Sequence, residues 1–240
     1  MKRIFLMLLM AGTGFAADKP LAVPAKPALM DESREIAVAL DAAPPHLRKD
    51  ASVFVLKERG YVKVREGTNG FTCIAVRDHP LNLKPTCWDA EGTDAIVPRV
   101  LKEGELLMQA VPVERIKEII AEDFRSGKFI PPCRAGIAYM LSGEIKNYDP
   151  RSGTVGSFPP HVMFYAPNIT NKDIGFSPDD VTFRDGMLPF VGYQGPHGYM
   201  IVVVGSHAMS DEGANVQRTQ PGKPKAARRV PAQKPDGKRG

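Results

Sequence analysis

The chain has 240 residues, 43% of them hydrophobic and 25% charged, with 32 Lys and Arg against 27 Asp and Glu. The formal charge is +5, but residues 1–17 supply +2 and residues 217–240 supply +7, which leaves 5 − 2 − 7 = −4 for residues 18–216. A mildly acidic body excludes recognition of nucleic acid through a basic face on a folded domain, and no stretch after residue 17 has the length of a membrane span.

The first element in chain order is a targeting segment. Lys2 and Arg3 precede the apolar run Ile4–Met10, extended by small residues to Phe15. Gly14-Phe15-Ala16 or Phe15-Ala16-Ala17 offers small residues to a signal peptidase. The pattern is that of a secretory signal peptide over residues 1–17, too short in its apolar core to span a bilayer. The mature chain is therefore expected to begin at Ala17 or Asp18 and to be exported, into the periplasm if the host is Gram-negative. No cysteine marks a lipid anchor. A Pro/Ala/Lys linker fills residues 18–30.

The body, 31–207, is expected to be a single α+β domain. Asp31 caps a first helix with Ile36, Ala39, Leu40 and Ala43 on one face, stopped at Pro44-Pro45. Three strand-like runs follow at 52–56, 61–65 and 71–77, with turns at Glu58-Arg59-Gly60 and Glu66–Gly70, and their spacing predicts an antiparallel meander. Val97, Val100, Leu101, Leu107 and Met108 form a helical stripe, with Pro98 in its first turn and Gly104 weakening its middle. Pro112 opens a second helix, buried along Val113, Ile116, Ile120 and Phe124 and ended by Gly127. Strand candidates at 135–141, 161–166 and 199–205 complete the body, with a turn at 148–153. This order predicts an antiparallel sheet with helices inserted between two three-stranded halves, a layout compatible with PAS and Cache ligand-sensing domains. Residues 208–240, basic over 217–240 with Val230 as that stretch's only large apolar residue, are expected to form a disordered tail. Outside the cytoplasm such a tail meets anionic lipid or cell-wall polymer through screened attraction, or stays solvated with no partner.

The stretches "VREGTNGFTCIAVRD", "CWDAEG", "GIAYMLS", "PPHVMFYAPNITNKDIG" and "PHGYMIVVV" give the chain, over roughly residues 31–205, a pattern that resembles a family of secreted bacterial proteins with no assigned activity. The resemblance implies export and a single domain. It supplies no catalytic residue.

Three cysteines in an oxidising compartment permit one disulfide. Cys73–Cys87 is the expected pair, closing the loop "CIAVRDHPLNLKPTC" and leaving Cys133 free. No Cys-x-x-Cys knuckle, Gly-x-Ser-x-Gly elbow, His-Glu-x-x-His, phosphate loop or dinucleotide fingerprint is found, and no cofactor is expected.

Five residues stand out as ligand-binding candidates. Asn69, in a Gly-rich loop, offers a bifunctional amide or simply a turn. Asp89 and Glu91, beside Trp88, are placed for acid–base work, for holding a cation, or for stabilising a helix N-terminus. His161 and Tyr165 share one face of a strand with Met163, whereas Val162 and Phe164 are expected to pack on the helices. His161 is then either a pocket residue or a strand-end histidine bonded to a backbone carbonyl. These patterns favour an exported module that binds or senses a small molecule or envelope component. The alternative is a hydrolytic enzyme using His161 with Tyr165, Asp89 or Glu91. A third reading takes His161/Met163, His197/Met200 and His207/Met209 as copper-handling pairs.

Overall fold

A computed structural model describes residues 23–177, 179 and 188–204. The signal segment, the basic tail and the His207/Met209 pair lie outside the described residues.

Asp31 caps α1 (Glu32–Asp41), its carboxylate accepting the N–H groups of Ser33 and Arg34. Pro44 and Pro45 end that helix and open the single turn α2 (Pro45–Arg48). The most buried face of α1 is Glu35, Val38 and Ala39, continuing to Ala42 and Ala43, and the expected Ile36 and Leu40 pack half-buried against the same core.

The runs β1 (Ser52–Lys57), β2 (Gly60–Arg65) and β3 (Thr72–Val76) all form, but not as a meander. The hairpin β1–β2 is antiparallel, while β3 pairs with β1 in parallel and so lies on its other side. The intervening loop makes this possible by passing across the start of β1. Thr68 and Asn69 donate their N–H groups to the Asp50 carbonyl, and Gly67 donates to Ser52 Oγ at 2.8 Å. A Cβ at Gly67 would press within 3.0 Å of the Ser52 nitrogen and the Asp50 oxygen, so the crossing requires glycine.

A fourth strand, β4 (Lys84–Trp88), forms within the segment expected to be a loop between the two cysteines, although Pro85 argues against a central strand. The proline is tolerated because β5 pairs with β4 only at Cys87 and Trp88, so no ladder partner faces the missing N–H. Cys73 and Cys87 stand directly opposite each other across β3–β4, Cα atoms 4.0 Å apart, and are disulfide-bonded. Cys133 is free and exposed.

Helices α3 (Ala90–Ala95), α4 (Val97–Met108) and α5 (Val113–Arg125) follow, and then β5 (Ile137–Met140). The expected turn at 148–153 joins the two-stranded ribbon β6 (Asn147–Asp149) and β7 (Thr154–Gly156). Strands β8 (His161–Tyr165), β9 (Phe190–Tyr193) and β10 (Tyr199–Val203) complete an eight-stranded sheet of order β2-β1-β3-β4-β5-β8-β10-β9. The helical insertion thus divides two four-stranded halves, not three-stranded ones. The chain is an α+β fold with a mixed sheet.

The sheet has two cores. Helix α1 covers β1, β3 and β4 on one face, with Val53, Val55, Cys73, Ala75 and Cys87 beneath it. Helices α3 and α4 cover the other face, where Ile74, Val76, Trp88, Ala138, Met140 and Met163 meet Ile96, Val97 and Val100. Alternation along β8 puts His161, Met163 and Tyr165 on the helix side, and Phe164, 41% exposed, on the side that α1 does not reach. The expected packing of Val162 and Phe164 on the helices is therefore corrected. The amphipathic set faces the helices because Met163 supplies the apolar contact and the two polar tips find partners at the strand ends.

Candidate functional site

Asp89 ends β4 and caps α3. Its Oδ1 accepts the Gly92 N–H at 2.9 Å and the Tyr165 hydroxyl at 2.8 Å, and its Oδ2 accepts the Ile137 N–H at 2.8 Å. The same Tyr165 hydroxyl lies 2.9 Å from the Ile137 carbonyl. Burial and the Asp89 carboxylate hold the phenol well above its ordinary range. A Cβ at Gly92 or Gly136 would strike Tyr165, so two glycines let the ring close on the aspartate. One carboxylate thereby links β4, α3, β5 and β8.

Glu91 is bound just as fully. Oε1 accepts the N–H groups of Cys133 at 2.6 Å and Arg134 at 3.2 Å, and Oε2 accepts Arg134 Nε–H at 2.8 Å. The Arg134 guanidinium and the Cys133 N–H hold its carboxyl down to about 2. Asn69 closes its own turn: Nδ2 donates to the Leu47 carbonyl and Oδ1 accepts the Phe71 N–H.

His161 is buried, and Nδ1–H donates to the Pro159 carbonyl at 2.8 Å. Burial keeps its pKa below the ordinary imidazole value, against the effect of that bond. Four residues along a strand is about 13 Å, so His161 and Tyr165 share a face without reaching one another. The contacts expected of a hydrolytic site, His161 with Tyr165, Asp89 or Glu91, do not form, since the His161 ring bonds the Pro159 carbonyl; Tyr165 meets Asp89 instead.

His197 is fully buried with both ring nitrogens engaged. Nδ1 accepts Arg99 Nε–H at 3.1 Å and Nε2–H donates to the Ile130 carbonyl at 2.8 Å. No lone pair is left for copper, and among the described residues no three His, Cys, Asp or Glu side chains group to hold a metal. Arg99 also pairs with Glu103 at 2.6 Å.

Among the described residues, two hollows lie elsewhere, between the β1–β2 hairpin and α4. A groove of about 560 Å³ is lined by Arg59, Gly60, Tyr61 and Phe129 and by the α4 residues Pro98, Leu101, Lys102 and Glu105. A second hollow of about 340 Å³ shares Pro98 and Leu101 and runs over Phe54, Lys63 and Thr72 toward the crossing loop at Gly67 and Gly70. Both volumes fall in the range of small-molecule sites. Glycine sets the close approach of the walls. A Cβ at Gly104 would lie within 3.0 Å of two Tyr61 ring carbons, and one at Gly60 would lie 3.1 Å from Glu105 Cα. The sequence carried a signal for this wall: Pro98, Leu101, Lys102 and Glu105 recur at i, i+3, i+4 and i+7, half apolar and half charged. That signal is masked by Val97 and Val100, which mark the stronger, buried stripe.

Comparison with family models, with curated proteins and with solved structures returns no match.

Proposed function

We propose that this chain is an exported binding module and that its ligand lies in the groove between the β1–β2 hairpin and α4. The supporting observation is the pair of adjoining hollows, which share Pro98 and Leu101 and combine apolar walls with charged rims. This reading rests on the groove and not on Asn69, Glu91 or His161, whose side chains bond backbone groups within the fold, nor on Asp89 and Tyr165, which bond each other. Export rests on the signal-like N-terminus, and no described helix is long and apolar enough to cross a membrane. In this proposal the domain is a ligand sensor of the PAS or Cache kind in role, with the basic tail contacting anionic surfaces.

Native mass spectrometry of protein purified from its own host tests the site. A small molecule is expected to travel with the chain and to be lost in Pro98→Trp, which fills the groove from an exposed helix position. A ligand that stays bound to Pro98→Trp would move the site elsewhere.

One observation favours a second reading, hydrolysis: Tyr165 and Asp89 do meet, at 2.8 Å. On that reading Tyr165→Phe abolishes an esterase or amidase activity while leaving the protein folded. Loss of stability with no activity to lose would mark the pair as structural.

A further inference from the structure

The rim of the groove specifies the ligand more narrowly, on the premise that the groove is the binding site. The two hollows are bordered by four cations, Arg59, Lys63, Lys102 and Lys128, and two carboxylates, Glu66 and Glu105. This local excess of positive charge sits on a body whose sum over residues 18–216 is −4. Three of the four cations are already neutralised: Lys63 by Glu66 at 3.0 Å, Lys102 by Glu105 at 3.0 Å and Lys128 by Asp123 at 2.8 Å. Arg59, exposed at the hairpin tip, has no ion-pair or hydrogen-bond partner among the described residues. Beside it the wall is apolar: Tyr61, Pro98, Leu101 and Phe129.

We propose that the groove takes a monoanionic amphiphile, its carboxylate held by the Arg59 guanidinium and its apolar body laid along Tyr61, Pro98 and Leu101. The charge count fixes the number of heads. One unpaired cation neutralises one anion, and a second anionic group would have to displace Glu66, Glu105 or Asp123 from an existing pair. A guanidinium suits the task because its planar donors meet a carboxylate in a two-point contact. An amphiphilic cation is rejected, since Arg59 would be left facing a like charge.

Isothermal titration of the mature full-length chain with dodecanoate, below its micellar concentration, tests the proposal against dodecyltrimethylammonium and acetate. Dodecanoate is expected to bind at one site, with neither control binding measurably. Arg59→Ala is expected to weaken dodecanoate about tenfold or more, as loss of a charge-assisted contact does. Arg59→Lys should retain part of that affinity, and added salt should weaken the wild type more than Arg59→Ala. Equal binding of the two amphiphiles, or no effect of Arg59→Ala, overturns the anionic head while leaving the groove as a site. Binding unchanged in Pro98→Trp, or no binding of dodecanoate at all, overturns the proposal. The ligand co-purifying from the host then decides separately whether the groove is occupied.

Discussion

Gly104→Ala is the sharpest test of how α4 seats on the sheet. In an open helix this change stabilises by about 1 kcal/mol, because glycine loses more backbone entropy on folding than alanine does. Here the new methyl would lie within 3.0 Å of two Tyr61 ring carbons. The ring cannot swing away freely. Its hydroxyl accepts the Arg77 N–H at 2.7 Å and donates to the Ala75 carbonyl at 3.3 Å. Relief requires breaking those bonds or lifting the helix, and a methyl this close belongs to the upper part of the overpacking range, roughly 2–3 kcal/mol. The overpacking outweighs the propensity gain, and the expected net loss is about 1–2 kcal/mol. For a domain of this size that lowers the melting temperature by about 2–8 °C. Thermal and urea melts followed by circular dichroism measure it. Gly156→Ala, where a Cβ meets nothing within 4 Å, serves as the control and should shift stability by less than about 0.5 kcal/mol. Tyr61→Leu combined with Gly104→Ala should cost less than the sum of the two single changes. A Gly104→Ala protein more stable than wild type would refute the close approach and, with it, the shape of the groove.

Burial, aided by the neighbouring Arg99 cation, lowers the His197 pKa to about 4, against the bond to Ile130. Its folded value lies below the unfolded value near 6.5, so the unfolded chain takes up a proton first; stability is complete above about pH 6.5 and falls by about 3 kcal/mol as pH drops toward 4. Urea titrations at stepped pH should show that slope in wild type and a shallower one in His197→Gln. His161→Ala leaves the Pro159 carbonyl unpaired and should destabilise by about 1–3 kcal/mol; an equally stable variant would mean that the ring is not needed to hold the strand end. Reduction of Cys73–Cys87 removes a cross-link between residues 14 apart and should cost about 3 kcal/mol, and non-reducing peptide mapping should find those two cysteines linked. Native alkylation should label Cys133 alone.

Periodicity exposed what periodicity governs. The helices over 32–41, 97–108 and 113–125 were legible because apolar spacing, proline and glycine mark their faces and ends. Strands β1, β2 and β3 were legible as strands but not as a topology. Nothing local in Glu66–Gly70 distinguishes a hairpin turn from a loop that crosses β1, since the deciding bonds run to Asp50 and Ser52. Strand β4 was hidden by Pro85, whose cost disappears only because β5 stops short of it. The spacing of Cys73 and Cys87 suggests the closure of a loose loop; their bond is a rung between two paired strands. A helix N-terminus is one of three roles the sequence leaves open for Asp89, and it is the role the cap fills; its partner Tyr165 lies 76 residues away, and the two glycines that admit the ring look like ordinary loop residues. The groove is illegible for a related reason: its walls come from a hairpin tip, a helix face and a segment after α5, and no one stretch announces it.

The junction where Asp89 sits also governs the order of assembly. The ladder between the halves of the eight-stranded sheet has two residue pairs across β4–β5, Cys87 with Tyr139 and Trp88 with Ala138, extended by the Asp89 N–H donating to the Ile137 carbonyl. Those partners lie 139 − 87 = 52 and 138 − 88 = 50 residues apart. Closing a chain of that length costs about 3.5 kcal/mol by the logarithmic loop relation, against about 1 kcal/mol for the hairpin that brings Lys57 to Gly60. Two residue pairs return little against that cost, so the seam gains from the Asp89 carboxylate, which ties Gly92, Ile137 and Tyr165 to the end of β4. The hairpin β1–β2 is the natural early structure and the seam the late one. A chain with Asp89 disabled would still form both half-sheets but would join them slowly, leaving the β5 edge of one half open to pair with another molecule during that delay.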